Sequence, residues 1–308
     1  MRVAIIDLGT NTFNLLVGER DAQGRLRVMH GEELPVLLGK SGIGRGMIAE
    51  DAFARGLDAL AVYAEKARAW GASKVLGVGT SMLRNAVNGK DFVLQARERS
   101  GIPIDVISGS EEATMILDGV RQAVAFGDRP QLVMDIGGGS IEFMLATGKA
   151  LMWKQSFEVG VTRLRERFLP TDPLTLDEEL RIAAHLDERL GPLWTMIDRH
   201  APHRLVGSAG SFDSLARIIA NERGEGITED ATSLSFTAAE FQALGDRILR
   251  MGRNERLRLP GLPEHRADTI GLALIAIDRV VAAGGIRELT WSRYALKEGA
   301  AARALRIV

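Results

Sequence analysis

Apolar residues fill positions 3–6, stop at Asp7, and resume at Phe13 after Gly9-Thr10-Asn11-Thr12. Two apolar runs separated by a short polar break predict a β-hairpin. The pattern returns at 132–145, LVMDIGGGSIEFML. Aligned on the acids, Asp7 matches Asp135, Gly9 matches Gly137, Thr12 matches Ser140 and Asn14 matches Glu142. One such break reads as an ordinary turn. Two in one register read as a duplicated unit.

Between the hairpins the spacing predicts a third strand at 26–30, a Gly-rich loop at 39–48 and a helix over 52–70. A strand ending at Thr80 and Ser81 follows, then a helix closed by Gly101, a strand at 102–108 and a helix reaching Gly127. After the second hairpin come a strand at 150–159 and a helical stretch that opens at Pro170 and Pro173 and runs to residue 193. The stretch HRLVGSAGSFDSLARII reads as strand, Gly-rich turn and helix. A helix capped by Ser235, an apolar helix over 267–283, and a final strand and helix complete the chain. The alternation predicts an α/β fold. At 308 residues the chain is long for one core, so two domains are expected, with a seam near residue 120. The terminal helix is expected to return to the first domain. The predicted domains are therefore 1–120 plus 292–308, and 121–291.

Hydrophobic residues make up 46% and charged residues 26%, a globular and not a disordered composition. The formal net charge of −1 gives no global attraction to nucleic acid or to anionic membranes, so neither is expected as a partner. Cys is absent, which excludes disulfides, thiolate nucleophiles and Cys metal sites. Asp7 and Asn11 interrupt the N-terminal apolar stretch, which argues against a signal peptide. The longest apolar run, 270–277, is too short to span a bilayer. These points make the cytoplasm the expected location.

The chemistry concentrates at the turns. Gly137, Gly138 and Gly139 let backbone amides approach an anion, and Thr10, Asn11, Thr12 and Ser140 add side-chain donors. Asp7 and Asp135 cannot bind phosphate themselves; they suit a divalent cation such as Mg²⁺ or Mn²⁺, or ordered water. On a strand, Glu142 points to the same side as Ser140 and joins these acids. Glu111 and Glu112 open a helix, where acids ordinarily answer the helix dipole, yet either could activate a water. Gly207, Ser208 and Gly210 lie between a strand and a helix, a place where backbone amides cradle phosphate.

DLGTNTFNLL and DIGGGSIEFM resemble the two phosphate loops of the actin, sugar-kinase and heat-shock-chaperone superfamily. With GTSMLRNAVN, VISGSEEATMILDGV, SFEVGVTRL and VGSAGSFDSLARI in that order, the chain resembles the exopolyphosphatase/guanosine pentaphosphate phosphohydrolase family. The resemblance implies two actin-like (ribonuclease H-like) domains with the active site in the cleft between them. It implies hydrolysis of a terminal phosphoanhydride, in inorganic polyphosphate or in guanosine pentaphosphate (pppGpp). It favours Glu112 over Glu111 as the base, places Arg84 on the phosphates, and puts the metal at Asp7, Asp135 and Glu142. A homodimer is compatible with it. Thr114, Ala209 and Lys297 depart from the family's arginine, glycine and arginine. Two other readings share these motifs: a small-molecule kinase of the same superfamily, and a sensor that binds polyphosphate or alarmone without turnover.

Overall fold

In the computed structural model, which describes residues 1–308, the first two apolar runs form β1 (Arg2–Leu8) and β2 (Phe13–Arg20). They pair antiparallel with Asp7 opposite Asn14. β3 (Leu26–Leu34) extends the meander. The chain then crosses through α1 (Glu50–Ala69) to β4 (Lys74–Gly79), which lies parallel to β1. α2 (Ser81–Asn85) and α3 (Gly89–Ser100) lead to β5 (Ile104–Val106), parallel to β4. The resulting sheet has the order β3-β2-β1-β4-β5. Its central strand β1 reads as an unbroken apolar run because both faces are covered. Ala4, Ile6 and Leu8 join a core with Leu60 and Ala67 of α1. Val3 and Ile5 point to the opposite face.

After α4 (Gly109–Ala123) the second hairpin forms β6 (Gln131–Ile136) and β7 (Ile141–Ala146), with Asp135 opposite Glu142. β8 (Leu151–Phe157) pairs with β7. Three helices follow: α5 (Val161–Phe168), α6 (Leu176–Arg189) and α7 (Gly191–His200). They lead to β9 (Arg204–Ser208), parallel to β6. α8 (Ala209–Glu222), β10 (Ser233–Thr237), α9 (Ala238–Arg250), α10 (Arg253–Arg256) and α11 (Ile270–Gly284) precede β11 (Glu288–Ser292), which is parallel to β9. The order is β10-β11-β9-β6-β7-β8. Without its edge strand β10, this sheet repeats the first one position for position. The two mixed sheets are the cores of two actin-like domains.

One unit contains Met1–Gly119, Gly137–Gly139 and Tyr294–Val308; the other contains Val120–Ile136 and Ser140–Arg293. The terminal helix α12 (Leu296–Ala304) belongs to the first unit and packs on β1. Glycines on both helices let α4 and α12 meet closely: a Cβ at Gly119 would collide with the Ala295 carbonyl, and one at Gly299 with that of Met115. Arg303 Nε donates to Asp118 Oδ2 at 2.7 Å beside this contact. No helix is long and apolar enough to cross a membrane.

Several boundaries differ from the sequence reading. α4 stops at Ala123, short of Gly127, and the helical stretch expected through 193 divides at Leu190, where Gly191-Pro192 starts α7. Ser235 lies in β10 and does not cap α9. Thr237 does, because Glu240 three residues on completes a capping box. Thr175 and Glu178 make the same box on α6. Hydrogen bonds from the Thr171 hydroxyl and the Thr175 and Thr171 amides hold the Glu178 carboxyl down at about 2.

Candidate active site

The first turn is closed by the Gly9 amide donating to the Thr12 carbonyl at 3.1 Å. A Cβ at Gly9 would sit 2.8 Å from that carbonyl oxygen, so the turn needs glycine. The following loop braces it: the Leu37 amide donates to the Asn11 carbonyl at 2.7 Å and the Gly39 amide to that of Thr10 at 2.9 Å. Thr10 is buried, while Asn11 and Thr12 are half-buried. Asn14 Nδ2 lies 3.4 Å from Asp7 Oδ2 and 3.3 Å from Thr12 Oγ1, donating to both. The first acid is thus faced by an amide.

β4 ends at Gly79, where a Cβ would meet the Leu83 side chain at 2.8 Å, and the chain folds at once into α2. The Thr80 hydroxyl donates to the Leu8 carbonyl at 3.3 Å and ties this turn to the first hairpin. Gly137–Gly139 belong to the same unit. A Cβ at Gly139 would lie 2.5 Å from Ser81 Oγ and 2.7 Å from Thr10 Oγ1. One at Gly138 would lie 2.8 Å from Asn11 Oδ1. The glycines are therefore required by the protein itself, whose hydroxyls and amide occupy the space a side chain would need. Two glycines, two hydroxyls and a carboxamide meet here. Such a cluster is suited to an anion.

At the start of α4 the adjacent glutamates part company. The Ser108 hydroxyl accepts the Glu111 amide at 3.2 Å, and Glu111 Oε2 accepts from the Ser108 amide at 2.9 Å and hydroxyl at 2.7 Å. Glu111 is consumed by this exposed capping box. Glu112 is only 6% exposed and accepts from Arg84 Nη1 at 2.9 Å. The same Nη1 donates to the Ile107 carbonyl at 2.9 Å, which anchors the guanidinium.

In the second unit, Asp135 and Glu142 are 7% and 1% exposed and stand directly opposite each other. Like charges in such a pair repel, and burial adds to the cost. Each is met by a serine: Ser208 Oγ donates to Asp135 Oδ2 at 2.5 Å, and Ser156 Oγ to Glu142 Oε1 at 2.6 Å. An all-oxygen donor set fits a hard cation, and Mg²⁺ is usually bound by one or two carboxylates plus water and phosphate oxygens. No three His, Cys, Asp or Glu side chains form a group that could hold a metal ion by themselves. Ser140, next to this pair, is also buried.

The third turn sits between β9 and α8. Gly207 makes room for the Phe212 ring, and the Arg266 guanidinium lies where a Gly210 side chain would be. Ala209 adopts φ +65°, a left-handed conformation costing a non-glycine residue roughly 1–2 kcal/mol. That is the position where the resemblance leads to the expectation of a glycine. Thr114 turns its hydroxyl back to the Ser110 carbonyl at 2.9 Å, and Lys297 pairs with Glu298 at 3.2 Å.

Two residues of this arrangement lie inside sequence motifs, Ser156 in SFEVGVTRL and Ser81 in GTSMLRNAVN, without the motif showing what they touch. Ser156 reaches Glu142 only through the β7–β8 register, and Ser81 meets Gly139 only through the turn after β4. Ser108 does carry a signal, since Ser-x-x-Glu at 108–111 is capping-box spacing.

Two α/β domains of one topology, each opening on a hairpin with a polar, glycine-bearing turn, define the actin-like class of proteins. Comparison with known proteins narrows this. The Ppx/GppA phosphatase family pattern matches residues 16–306, and the chain belongs to that family. It is 31% identical over 316 residues to Exopolyphosphatase 2 of Mycobacterium tuberculosis, covering 97% of each chain. The crystal structure of an exopolyphosphatase from Cytophaga hutchinsonii matches with a TM-score of 0.97 at 36% identity, covering 100% of this chain and 99% of that one. The Ppx/GppA enzyme of Aquifex aeolicus shares the fold, with a TM-score of 0.80 at 23% identity over 98% and 99% of the two chains.

Proposed function

We propose that this protein hydrolyses terminal phosphoanhydride bonds and releases orthophosphate from inorganic polyphosphate. One observation carries the reading. Of two adjacent glutamates at the start of α4, Glu111 is spent on the helix cap, while the buried Glu112 is held by Arg84 within the unit that contains the glycine turns. Two relatives at 31% and 36% identity bear the name exopolyphosphatase, which supports polyphosphate as substrate.

The terminal phosphate would be received by the amides of Gly137, Gly138 and Gly139 and by the side chains of Thr10, Asn11, Thr12 and Ser140. Arg84 is ion-paired to Glu112 in the free protein; phosphate oxygens would compete for its guanidinium fork. Released from Arg84, Glu112 would take the proton of the attacking water. Asp135 and Glu142 would hold Mg²⁺ or Mn²⁺, which when bound supplies positive charge to the phosphate oxygens. Asp7, oriented by Asn14, would order water at the first turn. Such catalysis is mostly positioning and charge neutralisation.

Conversion of pppGpp to ppGpp is a second reading. It is favoured by the third turn, where Gly207, Ser208 and Gly210 stand at the N-terminus of α8 beside Arg266. Orthophosphate release, measured on each substrate separately with no second acceptor, tests both. Glu112→Gln should lower turnover roughly 10²–10⁴-fold, the usual contribution of a general base, with substrate binding retained. Glu111→Gln should leave turnover within about threefold while weakening the cap by about 1 kcal/mol. Binding without phosphate release would favour a sensor, and release only with an acceptor would favour a kinase.

A further inference from the structure

Gly139 has no conformational need to be glycine, because its backbone lies outside the left-handed region that favours that residue. What it lacks is space. A Cβ there would lie 2.5 Å from Ser81 Oγ, 2.7 Å from Thr10 Oγ1 and 2.9 Å from Ser81 Cβ. Thr10 and Ser81 are both buried, and they come from separate segments, the first turn and the turn after β4. All three residues lie in the first unit. Thr10 is oriented for the contact. A Cβ at Gly39 would collide with Thr10 Cγ2, so the methyl fills that space and the hydroxyl is turned to Gly139.

Ser81 is oriented from its own helix. Asn85, one turn on, donates from Nδ2 to the Ser81 carbonyl at 2.9 Å and to Ser81 Oγ at 3.4 Å. A serine hydroxyl has three staggered wells to choose from, and this contact favours one. The amide nitrogen only donates, so it holds the Ser81 oxygen without taking its proton.

On the reading that the glycine turn receives the terminal phosphate, we propose that Ser81 is a positioning residue of that site. Its hydroxyl, held by Asn85, clamps Gly139 against Thr10 and fixes the direction of the amides of the turn. Ser81 acts through Gly139, and Asn85 acts through Ser81. Glycine has more backbone freedom to lose than any other residue, so a glycine turn depends on its neighbours for rigidity. Donors fixed beforehand need no ordering when the anion arrives.

The test is calorimetric titration of orthophosphate into the full chain with Mg²⁺ present. Orthophosphate has no anhydride bond, so binding is read independently of turnover. The wild type should show one saturable site with a dissociation constant on the order of 1 mM or tighter. Ser81→Ala should weaken it roughly tenfold, equivalent to about 1.4 kcal/mol, and should raise KM for polyphosphate about tenfold with kcat within about threefold. Asn85→Ala should weaken binding roughly fivefold in the wild type and add nothing in the Ser81→Ala background. A merely structural Asn85 would act equally in both. Gly139→Ala should bind better with Ser81→Ala than without it, because the lost hydroxyl frees room for the added methyl. Urea unfolding checks that each variant folds; if Asn85→Ala does not, Ser81→Ala and the Gly139 pair decide. Unchanged affinity in folded Ser81→Ala, or equal effects of Asn85→Ala in both backgrounds, would overturn the clamp and leave the hydrolytic reading standing. No phosphate release from polyphosphate, with orthophosphate binding still weakened by Ser81→Ala, would sink that reading and support the clamp. No saturable orthophosphate binding in the wild type would overturn the clamp.

Discussion

The two hairpins share strand order, register and an aspartate before a polar turn, yet they treat that aspartate differently. In the first, Asp7 is half-buried and faces the Asn14 amide, a neutral donor. In the second, Asp135 is almost fully buried and faces Glu142, another acid, with one serine hydroxyl on each. The backbone can be duplicated without duplicating the charge. The first turn can orient water and phosphate by hydrogen bonds alone. The second sets two buried acids face to face, a pair whose mutual repulsion a cation or a proton would relieve. The two hairpins share one frame, and residues 14 and 142 give their turns different charge.

That division can be strained from either side. The largest effect is expected at the serines of the second hairpin. Ser208→Ala or Ser156→Ala would leave one buried carboxylate without its orienting hydroxyl, and residues supporting a metal ligand typically contribute about 10–100-fold in metal affinity or activity. Phosphate release at limiting Mg²⁺ should fall by that order in each variant. Recovery at high Mg²⁺ would separate loss of affinity from loss of fold.

A smaller effect is expected from making the first hairpin resemble the second. Asn14→Glu places an acid opposite Asp7 and removes its amide donor. Cross-strand pairs contribute up to about 1 kcal/mol, so urea unfolding should show destabilisation of that order, reduced by added Mg²⁺. No destabilisation would mean that the partner of the aspartate does not distinguish the two turns.

The smallest effect is expected at the third turn. Ala209→Gly relieves the left-handed strain but adds freedom to the unfolded chain, so a net gain of about 0.5 kcal/mol is expected in urea unfolding. A loss of stability would show that the Ala209 methyl contributes packing that outweighs its strain.

Much of this comparison is legible in the sequence, because it depends on local pattern. Strand alternation places Glu142 on the side of Ser140, and the repeat places Asp135 opposite it. The cap that Glu111 makes is visible in the spacing from Ser108 to Glu111, whereas the preference for Glu112 as the base comes only from the family resemblance. Ser208 beside Asp135 is a different matter. It requires β9 to insert next to β6 after a crossover of three helices, and nothing local to either strand encodes that neighbour. The same holds for Gly139 against Ser81, which meet only in the folded unit. Capping residues are legible only when their partner is read with them. Ser235 looks like the cap of α9 until Glu240 is counted back three residues to Thr237.

The most direct test of the account is the Mg²⁺ dependence of phosphate release from polyphosphate of defined length, measured for the wild-type chain and for Glu142→Gln. Removing one of the two carboxylates should raise the Mg²⁺ concentration for half-maximal turnover roughly tenfold or more, and excess chelator should abolish turnover in the wild type. Full turnover in chelator, or an unchanged Mg²⁺ requirement in Glu142→Gln, would contradict the claim that the second hairpin's acid pair exists to hold a cation.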